Sequence, residues 1–234
     1  MRLPESPAFE ARGLFKTYVQ GKVTVEALSG VDLTVPTGQF LVIAGSSGSG
    51  KSTLLHLLGG LDRPDRGKVF VAGTDLAGLT EHERTAIRRR DLGFVFQSFN
   101  LVPVLSAYEN VEYGLWLDGM ARHERRRRVE DALEAVGLAD RMRHRPDHLS
   151  GGQRQRVALA RALVHEPIAV LADEPTASLD SRTGADIVKL LLDLNATRRT
   201  TFVFATHDPA IIARSPRVVH LADGRVVDER RSAS

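Results

Sequence analysis

Cysteine is missing from the whole 234-residue chain, which excludes a disulfide framework and a thiolate metal centre and fits a reducing compartment. Long apolar runs are missing as well. None approaches the roughly twenty residues of a bilayer-spanning helix, and the opening Met1-Arg2-Leu3-Pro4-Glu5-Ser6-Pro7 carries no apolar signal core, so a cytoplasmic location is expected. Aromatic residues are scarce, at 6%, and do not interleave with the basic clusters, which weakens a nucleic-acid reading. A large excess of one charge is lacking too, because 32 lysines and arginines face 29 acidic residues for a net +3. No fixed-period repeat or low-complexity segment interrupts the sequence. What is left, 42% apolar and 26% charged residues, describes a globular core with room for a smaller subdomain.

The most informative stretch is Gly45-Ser46-Ser47-Gly48-Ser49-Gly50-Lys51-Ser52-Thr53. Phe40 to Ala44 before it suits a buried strand, and Leu54, Leu55, Leu57 and Leu58 after it suit a buried helix face. A glycine loop between strand and helix turns successive N–H groups toward an anion, and the helix N-terminus adds its positive dipole end. In that setting Lys51 reaches the β- and γ-phosphates of a nucleotide and the Ser52 hydroxyl ligates Mg²⁺. A flexible Gly/Ser linker would need neither the lysine at this offset nor apolar elements at both ends.

Elsewhere the pattern alternates between strand and helix. Residues 8–35 hold two extended segments, the second with Val31, Leu33 and Val35 alternating against polar neighbours, so an antiparallel layer is expected. Tyr18 lies in this layer, where an aromatic ring can stack on adenine or simply pack. Asp62 to Gly67 reads as a turn, Lys68 to Ala72 as a strand, and Thr80 with Glu83 as a capping box. Leu92 to Phe96 is a buried strand ending on Gln97. From there to about residue 148 the pattern is helical, with a capping box at Ser106 and Glu109 and a stop at Gly137.

Leu149-Ser150-Gly151-Gly152-Gln153 places Ser150 as a helix N-cap, either an ordinary cap or, through its two glycines, a backbone surface for a second anion. Ile168 to Ala172 is an apolar strand ending in Asp173-Glu174. Carboxylates at the end of such a strand belong at a ligand crevice, Asp173 holding Mg²⁺ through water and Glu174 orienting or deprotonating an attacking water. Ser178 to Asp180 opens another helix. Thr201 to Ala205 is a strand that places His207 for a γ-phosphate, although a histidine in a polar turn is commonly structural. Asp223-Gly224 signals a hairpin. Arginines cluster at Arg88 to Arg90, at Arg122 with Arg125 to Arg128, and at Arg141, Arg143 and Arg145. A solvated helical face accounts for them more simply than a surface for anionic lipid headgroups or an acidic partner.

In their order, Gln97, Leu149 to Gln153, Asp173-Glu174, Ser178 to Asp180 and His207 resemble the ATPase subunit of an ABC transporter over nearly the whole chain. The resemblance implies an α/β fold. Its P-loop NTPase core would have a mostly parallel sheet, with an N-terminal antiparallel β layer and a helical subdomain. Residues 1–97 and 165–234 would form the core and 98–164 the subdomain. It further implies that Tyr18 stacks on adenine, that the Gly45 to Thr53 loop holds the phosphates of ATP, and that Ser52 and Gln97 serve Mg²⁺. Glu174 would be the catalytic base and His207 the γ-phosphate switch. Leu149 to Gln153, with Asp180 near the same seam, would cap ATP held by a second ATPase subunit, giving a head-to-tail dimer.

Gly93 to Pro103, Glu109-Asn110-Val111 and Leu171 to Thr176 resemble the lipoprotein-release and macrolide-export group. Such a subunit sits on the inner face of the cell membrane and powers a separate permease. Two alternative readings of this chain stay open: a cell-division-type mechanotransmitting ABC ATPase that moves no cargo, and a nucleic-acid-associated ABC ATPase. No nucleic acid is expected here, since there is no long coiled coil and no second cassette. Ala177-Ser178 stands where Gly-Asn is common and Gln39 where glutamate is usual. Neither departure is expected to touch a catalytic role.

Overall fold

Alternating burial sets the first layer. In the computed structural model, which describes residues 6–21 and 23–231, the two extended segments are β1 (Phe9–Gln20) and β2 (Val23–Val35), paired antiparallel from Phe9 opposite Val35 onward. Val31, Leu33 and Val35 are buried and the residues between them exposed, the period-two pattern of a half-buried strand. The expectation for Met1 to Glu5 lies outside the described residues. β3 (Phe40–Ala44) is buried at every position, as an uninterrupted apolar strand must be. The glycine loop then leads into α1 (Lys51–Leu58), which buries Leu54, Leu55, Leu57 and Leu58.

β4 (Arg66–Val71) and a short β5 (Thr74–Asp75) complete a four-stranded sheet of order β2-β1-β4-β5. β4 stops before the expected Ala72 because that residue turns into the left-handed region, φ 46°. α2 (Glu81–Asp91) and β6 (Leu92–Val95) follow, then α3 (Ala107–Leu117), α4 (Arg122–Ala135) and α5 (Gly151–Leu163). Both halves of the capping box form at Thr80/Glu83, Ser106/Glu109 and Ser150/Gln153. β7 (Ala169–Asp173) precedes α6 (Ser181–Arg198), which starts just after the expected Ser178-Leu179-Asp180 because Asp180 is its N-cap, accepting from the Thr183 amide. β8 (Thr201–Thr206), α7 (Pro209–Arg214), β9 (Arg217–Ala222) and β10 (Arg225–Arg231) end the order.

The larger sheet runs β10-β9-β3-β8-β7-β6, parallel except for β10. Its two faces feed separate cores. Phe40, Val42, Phe202 and Phe204 pack with α3, α4, α5 and α6, whereas Leu41, Ile43, Val203 and Val219 pack with α1 and the antiparallel layer. The helices between β6 and β7 therefore share one continuous core with the sheet.

The arginine run on α4 is largely self-neutralised. Arg125 pairs with Glu112, Arg126 with Glu130, and Arg127 and Arg128 with Glu124. The two arginines bring the Glu124 carboxyl down to about 2. A solvated helical face is what the sequence called for, and these ion pairs leave little free charge on α4 for an anionic surface.

Candidate nucleotide site

Parallel register brings three strand ends together. Ala44 lies opposite Thr206, and Asp173 opposite Ala205, so the residues that follow β3, β7 and β8 emerge side by side at the carboxyl edge of the sheet. Ligands of open α/β sheets bind at this edge. Here the loop after β3 meets Glu174 and His207.

Lys51 opens α1 with its side chain buried, and its Nζ donates to the carbonyls of Gly45 and Ser46, both at 2.9 Å. The same Nζ lies 3.8 Å from Glu174 Oε1. Gly50, at φ 103°, has no room for a side chain, because a Cβ would come within 2.4 Å of the Ala27 carbonyl. Backbone strain also marks Glu174, a non-glycine residue at φ 44°. Such a conformation costs on the order of 1–3 kcal/mol and persists where the surroundings hold it. They do so here: the Glu174 amide donates to Ala205 O at 2.9 Å, Thr206 Oγ1 donates to Oε2 at 3.1 Å, and His207 Nδ1 lies 2.7 Å from Oε1.

Ser52 Oγ donates to Asp173 Oδ1 at 3.0 Å, and Ser52 and Gln97 line the same cleft. Hydroxyl, amide and carboxylate oxygens are the hard donors Mg²⁺ takes. Among the described residues no group of three or more His, Cys, Asp or Glu could hold a metal ion by itself. The cleft encloses 510 Å³, within the range of about 300–1,000 Å³ typical of small-molecule sites. The β1–β2 hairpin adds Tyr18, Val25 and Ala27 to its wall. Tyr18 and Val25 are cross-strand partners, so both side chains face one way.

Leu149 to Gln153 line no part of this cleft. They form a second cluster with the start of α6. Gly152 is buried, and a Cβ there would come within 2.4 Å of Thr183 Cγ2. That corrects the reading of two open glycines: Gly152 is required by helix packing, and only Gly151 is partly exposed. Leu149 is likewise turned into the core. Asp180 is exposed, and hydrogen bonds from the Thr183 side chain and amide hold its carboxyl below the usual range.

Several contacts escaped the sequence reading. Gly224 N donates to Ser49 O at 3.1 Å, and Gly224 O accepts from Ser29 N at 2.8 Å, so the Asp223-Gly224 turn braces the glycine loop. Ser178 Oγ donates to the Gln97 carbonyl at 3.1 Å, which brings one of the two departures into contact with the site. The other, Gln39, accepts from buried Arg217 at 2.5 Å.

The family model for ABC transporters matches residues 28–177, a span containing the loop, Gln97, Leu149 to Gln153 and Glu174. The chain is an ABC ATPase. It is 47% identical over 213 residues to an uncharacterized ABC transporter ATP-binding protein of Thermotoga maritima, covering 91% of both. It is 48% identical over 219 residues to the lipoprotein-releasing system ATP-binding protein LolD of Alcanivorax borkumensis, covering 94% of this chain and 96% of that one. The macrolide export ATP-binding/permease protein MacB 1/2 of Paracoccus denitrificans matches at 45% identity over 98% of this chain but only 34% of its own length. Among solved structures, the dimeric post-hydrolysis state of the ATP-binding cassette MJ0796, bound to ADP and Pi, superposes with a TM-score of 0.88 at 42% identity, covering 97% of this chain and 99% of that one. In this ABC ATPase no helix of the described residues is long and apolar enough to cross a membrane.

Proposed function

We propose that this ABC ATPase closes on a second copy of itself around two ATP molecules, and that hydrolysis reopens the pair. The cycle drives a separate permease of the lipoprotein-release or macrolide-export type at the inner face of the membrane. The observation that carries the reading is the separation of the two clusters. Lys51, Glu174 and His207 gather at one cleft, while Ser150, Gly151, Gln153 and Asp180 lie outside it, at the N-termini of α5 and α6. Helix N-termini attract anions, so a facing subunit's phosphates complete the second cluster.

Each residue then has a task. The loop from Gly45 to Thr53 wraps the triphosphate, whose oxygens replace the two carbonyls that now accept from Lys51. Tyr18 stacks on the adenine. Ser52 and Gln97, with Asp173 through water, would hold Mg²⁺, and the ion would supply charge neutralisation to the phosphates. Glu174 accepts the proton of the attacking water, with Thr206 and His207 fixing its two oxygens. His207 also reports the γ-phosphate. The helical segment 98–164 acts as a subdomain that carries the trans cap and, through the residues after Gln97, passes the motion to the permease.

Glu174→Gln tests the assignment. It keeps the shape of the site but removes the base, so turnover should fall by roughly 10²–10⁴-fold while ATP still binds. Size-exclusion chromatography with ATP should then show a stable dimer. A monomer that hydrolyses ATP at the wild-type rate would refute it.

A further inference from the structure

Behind Tyr18 stands a network with no part in phosphate chemistry. Tyr18 OH donates to Asp62 Oδ2 at 2.8 Å, while Asp62 Oδ1 accepts from Lys16 Nζ at 2.9 Å and from the Arg63 amide at 2.7 Å. Lys16, itself buried, also donates to Arg63 O at 2.7 Å, and its ammonium sits 5.1 Å from the centre of the Tyr18 ring. Between them, the Thr17 amide donates to Asp65 Oδ2 at 2.7 Å. The Asp62–Asp65 turn thus grips three consecutive residues of β1. A turn that only reversed the chain would need neither a buried lysine nor a phenol bond.

We propose that Asp62, working with Lys16, is a positioning residue for the nucleobase: it holds the Tyr18 ring by its hydroxyl, with the ammonium beside the ring, at the wall of the cleft. The proposal rests on the reading of Tyr18 as the adenine platform. Its physical basis is preorganisation. A ring held in place before binding has already given up its rotamer freedom, so more of the stacking energy reaches the ligand. Burial raises the Asp62 carboxyl, but the bonds from Lys16, the Arg63 amide and Tyr18 outweigh it and keep the group below the usual range. Burial and the adjacent carboxylate push the Tyr18 phenol up.

The test is calorimetric titration of the full chain with ATP and, separately, with inorganic tripolyphosphate, which has no base. Asp62→Ala and Tyr18→Phe should each weaken ATP about three- to ten-fold, the scale of one hydrogen bond, and leave tripolyphosphate within about two-fold. Tyr18→Phe keeps the ring and deletes only the hydroxyl, so it reads the anchor even if Asp62→Ala does not fold. Tyr18→Ala should lose more ATP affinity than either, again sparing tripolyphosphate. Equal losses of ATP and tripolyphosphate in Tyr18→Phe would show a general structural role and overturn the proposal. So would wild-type ATP affinity in Tyr18→Phe alongside a loss in Tyr18→Ala, which would leave the stacking reading standing. Wild-type ATP affinity in Tyr18→Ala would instead remove the platform itself, and the proposal with it.

Discussion

Arg217 is only 3% exposed, yet its guanidinium finds three acceptors: Glu229 at 3.0 Å, the Thr34 carbonyl at 2.7 Å and Gln39 Oε1 at 2.5 Å. This explains why glutamine can stand at position 39. What the guanidinium requires is an oxygen, which an amide supplies without adding a second carboxylate beside Glu229. Gln39→Ala should cost about 1–3 kcal/mol, because a hydrogen bond to a charged, buried group is lost and the group cannot reach water. Gln39→Glu, which keeps the oxygen, should cost less. Denaturant unfolding of the two variants checks the order. The same logic applies to Ser178, whose hydroxyl occupies the Gln97 carbonyl.

At the scale of elements, α5 connects more than its own two ends. Its N-terminus carries Ser150, and its Arg161 donates to Phe99 O and Asn100 O at 2.8 and 2.6 Å. Those two residues sit at φ 62° and 48°, a strained pair just beyond Gln97, and Arg154 lies 5.2 Å from the Phe99 ring centre. One helix therefore holds both the proposed cap and the segment after Gln97. Just past α5, burial pushes the His165 imidazole below its ordinary value, with Arg89 and Arg128 adding to it. Asp118 lies 3.3 Å from Nδ1, but Arg89 shares that carboxylate, so the arginines and burial prevail. The native state therefore binds fewer protons than the unfolded chain just below the ordinary histidine value of about 6.5, and stability rises with pH through that window by at most about 1.4 kcal/mol per unit. Thermal melts between pH 5 and 7 should show a shallower pH slope for His165→Gln than for wild type.

These elements were readable to different depths. Capping boxes at Thr80 and Ser106 and the N-cap at Ser150 were legible because each side chain answers only to its own helix. The β3 strand and the glycine loop were legible because an all-apolar run followed by glycines has few other uses. What stayed hidden was long-range. Nothing in Asp62-Arg63-Pro64-Asp65 announces a grip on Tyr18, and nothing near Gly152 announces that Thr183 fills the space beside it. Such contacts exist only once the chain has folded back on itself.

For the whole molecule, the proposed sharing of a cleft on one chain and a cap on the other predicts complementation between chains. In a pair made of one Lys51→Ala chain and one Ser150→Arg chain, one shared site carries both defects and the other carries none. Differently tagged, co-expressed subunits purified as the mixed pair should regain ATPase activity that neither homodimer has. Activity no higher than the mean of the homodimers would mean that each chain owns a complete site. The placement of the Asp223-Gly224 turn has a consequence in time. Its amide closes on Ser49 O, and β3 is flanked by β8 and β9, so the glycine loop near the start of the chain takes its supports from residues made more than about 150 positions later. During synthesis the loop therefore leaves the ribosome before the turn that braces it. A nascent chain that has not yet reached this turn carries the motif without its brace.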